Sequence, residues 1–223
     1  LSYSGRRVTL GSEVATIDPT LTAKVFASDR VTLGWSGRYL MPNRRDVLGA
    51  SANVFVDWNA AINSQTGTNF SLDYTWQISE RSQLRFGGQY EHLTRFDQSI
   101  RSSDTWRAML DWSTQVPEAG RVQIGVTVSD TDSESPAIAH QAYSTKISYY
   151  FAKPILTAQV GISTEYRHAL FDRPLYSAQP REDRSLTTSL SASFPDWQVY
   201  GFAPVLELRQ ERNRSNVSRY DTQ

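Results

Sequence analysis

Alternation with a period of two constrains this chain more than any other feature of its sequence. Between residues 70 and 78, Phe70, Leu72, Tyr74, Trp76 and Ile78 take every second place, with Ser71, Asp73, Thr75 and Gln77 between them. The pattern restarts at Leu84 and Phe86, then returns as Trp106, Ala108, Leu110 and Trp112 and as Val122, Ile124, Val126 and Val128. It recurs as Tyr143, Ile147, Tyr149 and Phe151, as Leu156 to Ile162 with Tyr166, and as Leu186, Leu190, Ala192 and Phe194. Upstream, Val31, Leu33, Trp35 and Tyr39 form one such set, and alternate residues from Leu48 to Trp58 form another. Successive side chains of a strand leave opposite faces, so the pattern predicts antiparallel strands with one apolar and one polar face. No helical 3.6-residue period of useful length competes with it.

The content of the polar face decides what surrounds it. Glu13, Arg38, Asp57, Asp73, Arg85 and Glu91 fall on that side, as do Arg107, Asp111, Lys146, Glu165, Arg167, Glu207 and Arg209. A dry core would charge several kcal/mol for each unpaired ion, so this face must meet water. The apolar face then needs a partner of its own. Two sheets packed face to face, as in a soluble β-sandwich, or a propeller would supply one; lipid would supply the other. Trp35, Trp58, Trp76, Trp106, Trp112 and Trp197 are expected toward strand ends, where the interfacial girdles of membrane barrels lie. Tyr74, Phe86, Tyr149 and Phe151 share that expected lipid-facing side. In hydrocarbon every backbone amide needs an internal partner, which a closed sheet provides.

Composition agrees with a barrel and excludes other classes. Mean hydropathy is −0.48. No apolar run is long enough for a transmembrane helix, but a barrel strand shows only half its residues to lipid and so looks soluble on average. Lys plus Arg equal Asp plus Glu at 23 each, so no basic field points to nucleic acid. The absence of cysteine removes disulfides and thiolate metal sites. From residue 79 onward the connections are expected to alternate in length. Residues 79–81, 117–120, 152–154 and 194–196 read as tight turns, whereas 94–103, 130–140, 168–183 and 210–216 read as longer polar loops. Residues 27–30, 41–46 and 62–67 read as the breaks upstream. The expected fold is an all-β, antiparallel up-and-down transmembrane β-barrel of about 12 to 14 strands, with a polar lumen, short periplasmic turns and longer extracellular loops. It is expected as a single domain over residues 1–223, incomplete at one or both ends, with no signal-peptide core at its start.

Catalytic patterns are weak. His92, His140 and His168 lie at or near expected loops without metal-ligand spacing, and no G-x-S-x-G motif occurs. The expectation is a non-enzyme without metal or cofactor, its lumen charges Arg38 to Arg209 lining a transport path. The loop at 168–183 carries Phe171, Leu175 and Tyr176, and reads as an extracellular loop or as a plug folded toward the pore. Arg212 and Arg214 fall at a rim, solvated or near lipopolysaccharide.

The C-terminal stretch YGFAPVLELRQERNRSNVSRYDTQ combines Gly-Phe-x-Pro, an alternating strand, Arg-x-x-Ser-Asn and a following tyrosine. With Gly201, Phe202, Pro204, Ser215, Asn216 and Tyr220 in those places, it resembles the C-terminal barrel domain of the surface lipoprotein assembly modifier (Slam) family. YSGRRVTLGSEV near the start and W-x-I-S-x-R-x-x-L from Trp76 to Leu84 look similar to earlier parts of that barrel. The resemblance implies a barrel of about fourteen strands in the outer membrane of a Gram-negative bacterium. It implies help for lipoproteins or secreted proteins, often metal or haem acquisition proteins, in reaching the cell surface. Outer-membrane lipids, lipopolysaccharide, a client protein, the barrel-assembly machinery and other subunits of an envelope complex are the expected partners, and nucleic acid is not. The family usually carries a periplasmic helical-repeat domain before the barrel, and a final outer-membrane strand is expected to end on an aromatic residue. A porin-like channel for small solutes and a structural barrel within a larger assembly are the alternatives.

Overall fold

A computed structural model describes residues 2–6, 28–59, 62–96, 99–172, 179–197 and 204–217. These hold eleven strands: β1 (Ser2–Arg6), β2 (Ser28–Leu40), β3 (Val47–Asn59), β4 (Ile62–Gln77), β5 (Ser82–Arg95) and β6 (Ser103–Val116), then β7 (Gly120–Ser133), β8 (His140–Phe151), β9 (Gln159–Phe171), β10 (Glu182–Ser193) and β11 (Val205–Ser215). They form one antiparallel sheet in strict chain order from β1 to β11. This is the up-and-down barrel arrangement expected from the alternation. Every substantial contact between strands joins neighbours in that order, so among the described residues no second layer packs on either face. Among the described residues nothing forms the second sheet of a β-sandwich.

Burial is inverted relative to a soluble protein. Leu33, Trp35 and Trp106 are 65%, 63% and 63% exposed on the apolar face. On the polar face Ser148, Thr105 and Ser113 are buried. A single sheet with nothing packed against it can shield one face only by curling around it, so the polar face is the concave, inner one. The register shows the same curl. One hydrogen-bonded row runs Tyr39, Leu48, Tyr74, Phe86, Leu110, Val126, Thr145, Tyr166, Leu186, Arg212. It starts beside the last residue of β2 and ends, nine strands on, toward the opposite rim of β11. Stagger accumulating in one sense is what tilted barrel strands require.

Turn chemistry sets the rim that holds the β2–β3, β4–β5, β6–β7, β8–β9 and β10–β11 connections. In residues 41–46 the Asn43 side-chain oxygen accepts the Arg45 and Asp46 amides, and Arg44 takes φ 55°. Residues 117–119 turn through Glu118 at φ 61° into Gly120 at φ 147°, where an added Cβ would lie 2.0 Å from the Tyr150 carbonyl oxygen. Ile155 and Ala158 exchange both backbone bonds around Leu156 and Thr157, at φ 50° and 68°, which is a type I′ hairpin turn. Leu156 is therefore a turn tip, 88% exposed, and not the first apolar residue of β9.

Several expected boundaries move. Residues 28–30 belong to β2, 62–67 to β4, 130–133 to β7, 168–171 to β9 and 210–215 to β11, although all read as breaks or loops. At the C-terminal end of β10 the connection spans 194–204, not the three residues of a tight turn; Trp197 lies in it, stacked on Phe194 at 4.6 Å. The contrast between short and long connections therefore holds at 78–81 and 117–119 against 96–102 and 134–139, and fails at the β8–β9 connection, which spans 152–158, and at the β10–β11 connection.

Candidate functional site

The inner wall is the candidate site, and two adjacent rows carry about half of its charge. One runs Thr75, Arg85, Asp111, Gly125, Lys146, Glu165, Thr187, Glu211. Its signs alternate from β5 to β9, interrupted by a glycine. The neighbouring row runs Arg38, Gly49, Asp73, Gly87, Met109, Thr127, Ser144, Arg167. The glycines make room: a Cβ at Gly49 would stand 2.7 Å from an Asp73 carboxylate oxygen, and one at Gly125 would stand 2.3 Å from that of Asp111.

Some of these charges are matched. Arg85 makes two bonds of 3.1 Å to the Asp73 carboxylate, and Arg30 grips Asp57 at 2.6 and 2.7 Å while Gln65 donates to the same group. Arg107 approaches Glu91 at 3.7 Å, and Arg209 pairs along its own strand with Glu211 at 2.9 Å. Arg167 donates to the His140 Nε2 at 2.8 Å, so that nitrogen accepts and the Nδ1–H donates to the Ile138 carbonyl oxygen at 2.6 Å. Arg38, Asp111, Lys146 and Glu165 have no ion pair among the described residues. Lys146 and Glu165 are register partners all the same, so the two opposite charges stand side by side on β8 and β9.

Hollows indent the wall, one of them of about 310 Å³ over β2–β5 among Arg38, Gly49, Ser71, Asp73 and Arg85. A second, of about 410 Å³, lies over β6–β9, lined by Thr105, Arg107, Thr127, His140, Glu165 and Arg167 among others. Another of about 300 Å³ lies nearer the opposite rim, among Arg38, Arg45, Asp73, Arg85, Asp111 and Arg121. Between the charged rows and that rim runs a neutral polar band of Gln77, Gln83, Ser113, Gln123, Ser148, Ser163 and Ser189, ending at Arg209. Glu207 lies one row further out, opposite Ser191. All twelve expected lumen charges thus share the inner face.

The aromatic residues expected to meet lipid share the other face. Trp76, Trp112, Tyr149 and Phe151 cluster toward the rim of the tight turns, and Trp58 and Trp106 toward the opposite one, with Leu110, Val126 and Ile147 between. Tyr90 packs on Trp106 at 4.5 Å with the rings tilted by 40°, and Tyr74 packs on Phe86 at 5.3 Å. Trp35 departs from the expectation: it stands mid-strand in β2, carried there by the stagger, in one row with Tyr90 and Trp106.

Several residues escaped sequence reasoning. Arg30, Arg95 and Arg121 add to the inner charges. Phe55 is apolar on the polar face: its ring fills the space over Gly67 and lies 4.3 Å beneath the Arg30 guanidinium. Asp46, buried in the β2–β3 turn, accepts from the Tyr74 hydroxyl at 2.6 Å, the Asn43 amide at 2.7 Å and the Gln77 backbone at 2.9 Å. These donors, the Tyr74 hydroxyl foremost, hold its carboxyl below the usual range. The three histidines lie within strands and not in loops. His92 bonds Asp104 at 2.8 Å, and His168 bonds Glu182 at 2.9 Å. Among the described residues no three His, Asp or Glu side chains gather as metal ligands.

Of the C-terminal motif, Ser215 ends β11 and Asn216 ties the far rim together. Its side chain donates to the Pro180 carbonyl at 2.9 Å and accepts from the Glu182 amide at 2.8 Å. Pro204 accepts from the Phe194 amide at 3.0 Å. Gly201, Phe202 and Tyr220 lie outside the described residues, as do Leu175 and Tyr176 of the long loop and Glu13.

Among solved structures the chain is similar to a KdgM porin in complex with disordered oligogalacturonate, at 12% identity and a TM-score of 0.46 over 85% of this chain and 88% of that one. No curated protein matches. The family model described as surface lipoprotein assembly modifier matches residues 54–223, well over half of the chain, and takes in the Trp76–Leu84 and C-terminal motifs but not the segment near the start. An inside-out, up-and-down barrel wall with that match over its length points to the outer membrane, and the chain belongs to the surface lipoprotein assembly modifier family.

Proposed function

We propose that this chain is the outer-membrane barrel of a surface-export component in a Gram-negative bacterium, one that assists delivery of lipoproteins or secreted proteins to the cell surface. Family membership supports the client class. The observation that carries the mechanism is the alternating row Arg85, Asp111, Lys146, Glu165, because charges left half-matched on a wet wall offer exchangeable partners to a polypeptide. A passing segment of either sign finds a counter-charge within one strand spacing and can leave it again, since exposed ion pairs are each worth only about 0 to 1 kcal/mol. Export then needs no bond chemistry, and the barrel acts without catalysis, metal or cofactor. The barrel-assembly machinery and outer-membrane lipids are its proposed surroundings.

The test is surface display of a co-expressed lipoprotein client in a strain lacking the gene, complemented by wild type or by the Lys146→Gln/Glu165→Gln double variant. The double variant is expected to insert normally and to display less client. Unimpaired display would remove the charged row from the transport path. Steady single-channel conductance in planar bilayers without any client dependence would favour the small-solute channel instead.

A further inference from the structure

The outer face of β9–β11 changes character toward the rim formed by the longer loops. Along β11 the outward residues read Leu206, Leu208, Gln210, Arg212, Arg214, from the tight-turn rim to the far one. On β10 the same reading is Leu190, Thr188, Leu186, Arg184. Arg184 and Arg214 are direct register partners, and Arg212 stands opposite Leu186. Like charges placed directly opposite are destabilising in a sheet, so this arrangement asks for an anion. The acidic group on this outer patch is Glu182, which binds Arg184 and His168 and so fixes the Arg184 side chain. Arg212 and Arg214 form no ion pair with any described residue.

We infer that Arg184, Arg212 and Arg214 form a phosphate-binding site for a phosphorylated glycolipid of the lipid A type in the outer leaflet, with its acyl chains on Leu186, Leu190 and Leu208. The apolar bed directly below is present: those three leucines are about half exposed and continue the band that faces hydrocarbon. Opposite positions on paired strands lie about 5 Å apart and alternate residues about 7 Å apart, so three guanidinium groups reach one phosphoryl group. Planar guanidinium matches phosphate in two-pronged fashion, which lysine does not. Basic clusters beside a hydrophobic band are the usual recognition element for anionic headgroups. The inference concerns the outer wall and stands apart from the client-transport reading of the inner one.

The experiment uses the purified barrel in neutral detergent and measures binding by native mass spectrometry, with bisphosphorylated lipid A, its dephosphorylated form and inorganic phosphate as separate probes. Lipid A is expected to bind wild type and to bind the Arg212→Gln/Arg214→Gln variant roughly 30-fold more weakly, about tenfold or less being lost per arginine. Arg81→Gln, on a turn at the opposite rim, keeps wild-type binding. Dephosphorylated lipid A binding wild type as tightly as the phosphorylated form would overturn the inference without recourse to any variant. So would equal lipid A binding by the double variant. Binding of inorganic phosphate alone at the same concentration would assign the cluster to a free anion and overturn the lipid assignment.

Discussion

Val126 and Thr127 are neighbours in β7 with opposite surroundings, and an arginine at each separates the two faces. Val126 is outward and 43% exposed, near the middle both of its strand and of the long row from Tyr39 to Arg212. That places it close to the bilayer midplane, where an outward arginine costs about 2 to 4 kcal/mol. The corresponding shift in the folding equilibrium is about 30- to 1,000-fold. Thr127 faces inward between Met109 and Ser144, on the hollow of about 410 Å³ that also holds Glu165. An arginine there stays hydrated and has a carboxylate within reach, so its cost is under about 1 kcal/mol. Folding of each variant into lipid vesicles, followed by heat-modifiable gel mobility across a urea series, measures both. Val126→Arg is expected to lose its midpoint stability and Thr127→Arg to stay near wild type. Equal damage from the two would refute the assignment of faces and with it the inside-out reading.

Other expectations concern local devices. Gly67→Ala would place a Cβ 2.2 Å from the Phe55 ring, and overpacking of that kind costs about 1 to 3 kcal/mol, recovered in part by adding Phe55→Leu in a urea titration of the double variant. Asp46 titrates below its unfolded value, so its contribution is complete above the ordinary carboxylate range and disappears as pH falls through its lowered value. Asp46→Asn should flatten that part of the pH profile, read as protease resistance of the 41–46 turn; an unchanged profile would show that the Tyr74 and Gln77 bonds do not hold the turn. Asn216→Ala removes two side-chain bonds, each worth about 1 kcal/mol, and should speed hydrogen exchange at the Glu182 amide while leaving β4–β7 unchanged.

The faces of β2–β10 were legible because lipid and water demand opposite residues at every second position. Nine of the ten named aromatics lie on the outward side of a strand and twelve of the thirteen named charges on the inward side, whereas Trp197 falls in the β10–β11 connection and Glu13 lies outside the described residues. The ends of β4 and β11 were not legible, for a physical reason. Strands run on past the hydrocarbon band, and there both faces are polar, so INSQTG and QERNRSN lose the contrast that marks a strand. Phe55 was hidden because its apolar ring is tolerated only over Gly67, twelve residues along and on the next strand. Asp46 was hidden because its partners Tyr74 and Gln77 stand 28 and 31 residues away in sequence. The alternating row Arg85–Glu165 needs the register of five strands, which no single segment encodes.

Strict pairing of each strand with its predecessor and successor has a consequence for how such a wall changes over evolutionary time. Any two consecutive strands with their turn form a cassette that arrives with both its greasy and its wet side already oriented. Duplicating or deleting one leaves every remaining pairing intact and alters the circumference by one fixed step, since diameter grows roughly linearly with strand number. Bore is therefore a quantity that lineages can adjust, hairpin by hairpin, without redesigning a single ladder.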